Sequence, residues 1–181
     1  MDQSPLHTLT SVKDVVKHPR AAELIAEAKG RSVKDVSGED ILKLFDKVVP
    51  GTKLGGSLGQ ALWSRAGVKA ETAQTGRLAG APYAYGVLAL VCAAARANLE
   101  VVEIAEPSPG GCALRTKTPS SGWAFAGEAA FALETDEDGC TIEAHTVTKG
   151  QAFDWGRGKR LLGGVLDDAA ARARTYATLE L

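Results

Sequence analysis

Aromatic side chains make up only 6% of the 181 residues, and methionine occurs once. A core here cannot rest on stacked rings, so it has to come from aliphatic and small side chains. Alanine and the 20 glycines supply the small ones and favour close approach between elements. Cysteine is also scarce. Cys92, Cys112 and Cys140 are far apart, odd in number and form no CxxC pair, which excludes a disulfide framework and predicts reduced, buried thiols. Histidine occurs three times, as His7, His18 and His145, with no HxxxH or HExxH spacing. No metal site or cofactor is expected. Charge of one sign is lacking too: the net charge is −1. Residues 1–78 carry 12 basic and 9 acidic side chains and residues 79–181 carry 9 and 13, which excludes the strongly basic surface that nucleic acid requires.

Long apolar runs are missing as well. The best is the uncharged stretch 78–95, near the lower limit for a membrane span and rich in Ala and Gly. It predicts a buried helix and no membrane span. The first ten residues, MDQSPLHTLT, have neither a basic start nor an apolar run, so the reading is of a cytoplasmic protein with no secretory leader.

What is present is periodicity. In the run 12–29, Pro19 fits the first turn of a helix, Ala22, Ile25, Ala26 and Lys29 share helical spacing, and Gly30 can end it. Ser37 or Gly38 can open a second helix with Ile41, Leu42, Leu44, Phe45 and Val48 as its apolar stripe, closed by Pro50 and Gly51. A short helix from about 57 to 65 is also expected. The stretch 67–81, with Gly67, Gly76 and Gly80, reads as a connection. The helix expected at 82–97 is apolar nearly all round and belongs inside.

Beyond residue 98 the period changes to two. Strands are expected at 99–105, 111–118, 124–134 and 140–147. TDEDG at 135–139 is a hairpin turn, and the short connections favour antiparallel neighbours. A terminal helix is expected from about 159 to 177, long enough to cross four strands. Its Gly163 and Gly164 each cost about 1 kcal/mol relative to Ala, with close approach to the sheet as the expected compensation. The predicted fold is therefore α+β. A helical region at 1–66 and an antiparallel sheet with flanking helices at 82–181 form one compact unit, with 67–81 between them. The sheet has four strands and packs against a buried helix and a long carboxy-terminal helix.

Chemistry-bearing groups are few, and no catalytic residue is assigned. Glu143 and His145 share one face of a strand, where they could exchange a proton or form an ordinary polar pair. Alternation turns Cys140 to the other face, away from His145, so no Cys–His couple is expected. No GxSxG elbow or phosphate-binding glycine loop is present. Arg157, Lys159 and Arg160 cluster where the last helix begins and could meet an anion or simply be solvated. Trp123 and Trp155 sit at element edges, suited to an interface or to plugging the core.

The leading expectation is a non-enzymatic protein-interaction or self-association module, whose partner is another protein or a second copy. One alternative is a carrier or sensor of an apolar small molecule held between sheet and helix. Another is an enzyme using Glu143 and His145.

Overall fold

The computed structural model describes residues 4–30, 48–50, 69–119, 127–149 and 156–179. A 3-10 turn at Leu6–Thr8 leads into two helices, α1 (Val12–Lys17) and α2 (Pro19–Ala28). Strand β1 (Val48–Pro50), strand β2 (Lys69–Ala79) and helix α3 (Tyr83–Arg96) follow. Four strands come next: β3 (Glu100–Glu106), β4 (Gly111–Thr118), β5 (Gly127–Asp136) and β6 (Gly139–Lys149). Helix α4 (Arg157–Leu179) ends the described chain. Pro19 occupies the helix start predicted for it. Where its missing N–H costs no bond, its fixed φ favours the turn.

The strands form one sheet in the order β1-β3-β4-β5-β6-β2. Five are antiparallel, and β1 runs parallel to β3. The fold is α+β, with an antiparallel sheet and a long terminal helix. The expectation of four strands is corrected. The stretch 67–81, read as a connection, holds β2, and Val48 and Val49, assigned to a helix, lie in β1. The rest of that helix and the one expected at 57–65 fall outside the described residues, so the described helices of the amino-terminal half are α1 and α2.

Helix α3 is the hub. Every residue from Tyr83 to Ala95 is buried, and only Arg96 reaches water. Such a helix needs cover on all sides. The sheet supplies one side: a Cβ added to Gly86 would come within 2.8 Å of Cys140 Sγ. Helix α4 packs along another side, and α1, α2 and the 3-10 turn close the rest. At its end, Leu99 N–H donates to the Ala94 carbonyl and Asn98 N–H to Ala95. Asn98 takes φ 55°, the left-handed residue that satisfies the last carbonyls of a helix.

The inner sheet face carries Leu114, Phe131, Leu133, Ile142 and Ala144, all buried. Close helix-to-sheet approach occurs on the strand side. A Cβ on Gly76 of β2 would lie 2.9 Å from Leu166 Cδ2. Gly163 and Gly164 do not serve that purpose. A Cβ at Gly163 would touch Gln74 Oε1 at an ordinary 3.5 Å, and one at Gly164 would meet nothing within 4 Å.

Helix α4 is pinned to α3 by charge as well as packing. Arg172 Nε donates to Asp168 at 2.8 Å, and Arg96 reaches the same carboxylate at 3.3 Å. Tyr176 stacks edge-to-face on Tyr85, with ring centres 6.4 Å apart.

Candidate interaction surface

The outward sheet face holds the residues singled out on β6. His145 is half-buried and stands between Ala73 of β2 and Ala130 of β5. Glu143, on the same face, is exposed between Thr75 and Ala132. No hydrogen bond joins the two. Their neighbours are alanine and threonine, which offer no second acid, base or nucleophile. The next charged group along the His145 row is Arg115, beyond Ala130 on β4. Two strand spacings, about 10 Å, separate them. Arg115 is held by Glu103 at 3.0 Å.

Cys140 is buried on the inner face, its thiol donating to the Ala81 carbonyl at 3.3 Å. It faces away from His145, as alternation predicts. Burial pushes the Cys92 thiol up to about 11 and the Cys112 thiol up to about 12, and it raises Cys140 as well. These are thiols held in the unreactive, protonated form.

The basic cluster at the start of α4 is divided by the fold. Arg157 donates to the Pro119 carbonyl and ties the helix start to the end of β4. Lys159 and Arg160 are exposed. The Lys159 carbonyl accepts from Gln74 Nε2 at 2.9 Å, which fixes α4 over β2. Trp123 and Trp155 lie outside the described residues. Among the described residues, no three His, Cys, Asp or Glu side chains are grouped to hold a metal ion. No described helix is long and apolar enough to cross a membrane.

The most distinctive surface feature was not read from the sequence. Strand β2 has eleven residues, paired without interruption to β6 from Lys69↔Lys149 to Ala79↔Gly139. Among the described residues no strand pairs with its other side. Ala70 and Leu78 are buried beneath α4, whereas Glu71, Ala73, Thr75 and Arg77 on the outward face are exposed. Arg77 donates to both oxygens of Asp136 and, at 2.7 Å, to Thr141 Oγ1. Hydrogen bonds from Arg77 and from the Asp138 N–H hold the Asp136 carboxyl down to about 2. A straight strand with an unpaired row of N–H and C=O groups is a template for another strand.

Compared with family models, with curated proteins and with solved structures, the chain gives no significant match.

Proposed function

We propose that this chain is a non-enzymatic protein-interaction module that binds by adding an extended segment of its partner to the β2 edge. One observation carries the reading: an eleven-residue edge strand with no bulge and no proline, whose outward side chains are exposed. Main-chain pairing would supply affinity, and Glu71, Ala73, Thr75 and Arg77 would supply selectivity.

The carrier reading needs room between sheet and helix, where α3 instead lies against Cys140 and Leu133. An enzyme based on Glu143 and His145 needs a third group to orient or activate them, and alanines and threonines surround both. The edge is therefore the better-supported site.

Site-specific photo-cross-linking in the expressing cell tests this. Benzoylphenylalanine is placed at Thr75 on the β2 edge or, as a control, at Arg174 on the exposed side of α4. Cross-links to a protein from position 75, well above those from position 174, are expected. Equal or absent cross-linking from position 75 overturns the reading.

A further inference from the structure

We infer that the partner of the β2 edge is a second copy of this chain, bound antiparallel to it with Gln74 on the two-fold axis. This rests on the reading of β2 as the binding edge and adds what occupies it.

The first observation is charge complementarity. Antiparallel pairing about Gln74 sets residues whose numbers sum to 148 opposite each other. Glu71 then faces Arg77 of the second copy, and Arg77 faces the second copy's Glu71. Both lie on the outward face, which the axis, normal to the sheet, keeps on one side for both copies. Ala73 meets Thr75, two exposed and small residues. On the inner face Ala70 meets Leu78, Thr72 meets Gly76, and the two Gln74 side chains meet each other. No like charges are opposed anywhere along the eleven residues. Opposite charges directly across an antiparallel pair stabilise it, and like charges weaken it. Neither charge has to be unengaged in the single chain. Arg77 is held by Asp136 and Thr141, and Glu71 has contacts of its own.

The second observation is independent of the strand. Helix α4 carries two adjacent interior glycines, which weaken a helix. Packing within one chain requires neither, because a Cβ at Gly163 would make an ordinary contact and one at Gly164 would enter open space. Gly163 lies over Gln74, the residue placed on the axis. Symmetry brings the second copy's α4 toward this same point. Bare backbone there lets the two helices approach over a sheet that continues from one copy into the other. This is an isologous contact, the commonest way for a soluble protein to form a closed assembly.

Sedimentation velocity on the full chain, from micromolar to millimolar, is the test. The unaltered chain is expected to form a dimer. E71R alone and R77E alone each oppose like charges twice and should weaken it about 10-fold. An equimolar mixture of the two variants pairs opposite charges at both sites and should recover the dimer. Gly164→Gln gives a second reading that survives a poorly folded charge variant. It should raise the melting temperature, because it removes a helix glycine, yet weaken the dimer. A chain that stays monomeric at millimolar concentration overturns the inference while leaving the photo-cross-linking test of the edge intact. So does a dimer that neither charge variant weakens, or a mixture no stronger than its components. In each case cross-links from Thr75 to a different protein would show the edge in use with another partner. No cross-links from Thr75 would remove both readings.

Discussion

The sheet has two edges, built in opposite ways. At one, β1 is three residues long, runs parallel to β3 and ends in Pro50. Proline has no N–H to offer a further strand, and three residues give few bonds. At the other, β2 runs for eleven residues in unbroken antiparallel register. Both edges belong to one sheet over one core, so general stability does not require them to differ. The difference teaches that edge protection is local. A short strand and a proline limit one side, while the other stays long and regular, with a glycine pair on the helix above it.

The broadest break removes the framework both edges share. Phe131→Ala, on the middle of β5 and 1% exposed, should cost about 3–5 kcal/mol, read as a shift in the urea midpoint. Both edges are lost together if the sheet is one cooperative unit. A survival of β2 amide protection in native-state hydrogen exchange would show that it is not.

A smaller effect is confined to the β2 side. Gly139 has φ 130°, and a Cβ there would lie 2.3 Å from the Leu78 carbonyl oxygen. Gly139→Ala should cost about 2–3 kcal/mol through strain and displacement of the β2 end. Denaturation should report that loss, and hydrogen exchange should rise at 76–79 before 104–106.

The acid dependence of the β2 side follows from Asp136. Its carboxyl is held at about 2, below its ordinary 3.8, by Arg77 and the Asp138 N–H. A depressed carboxylate stabilises the fold above its unfolded value, and that contribution is lost as pH falls from about 4 through 2. Asp136→Asn should therefore flatten the stability profile over that window and lower stability modestly at neutral pH. Urea midpoints at pH 7, 4 and 2.5 check it. A profile unchanged from the parent chain contradicts the assignment.

The smallest effect belongs to β1. Pro50→Ala restores an N–H to that edge but leaves three residues, so stability should change by less than about 0.5 kcal/mol. Sedimentation should be indistinguishable from that of the parent chain. New association through this variant would show that proline, not length, keeps β1 inactive.

Much of the carboxy-terminal half was legible in the sequence because its signals are strong. Cys112, Leu114 and Thr116 alternate with Ala113, Arg115 and Lys117, and β4 spans the predicted 111–118. The uniformly apolar run around Leu88 and Leu90 could only be an interior helix. The hairpin turn falls at Asp136–Gly139, where the Asp136 side chain accepts from the Asp138 N–H. Strand β2 was illegible for a physical reason. Its inward positions include Thr72, Gln74 and Gly76, which carry no hydrophobic period. A strand held by eleven pairs to β6 and covered by Leu166 does not need one. The candidate surface was hidden for the same reason, because an edge is defined by what does not pair with it. His145 and Glu143 were assigned to the correct face. What sequence could not give was their neighbours, which come from β2 and β5.

The pairing of β2 with β6 also sets a timetable. The partners lie 60 residues apart at Ala79↔Gly139 and 80 apart at Lys69↔Lys149. At translation speeds of about 5–20 residues per second, β2 waits on the order of several seconds for its partner to be synthesised. Over that interval a strand rich in Thr, Gln, Glu and Ala has little to stick to. A hydrophobic one would be a hazard to the nascent chain. The strand made first is placed last, and its plain polar composition lets it wait.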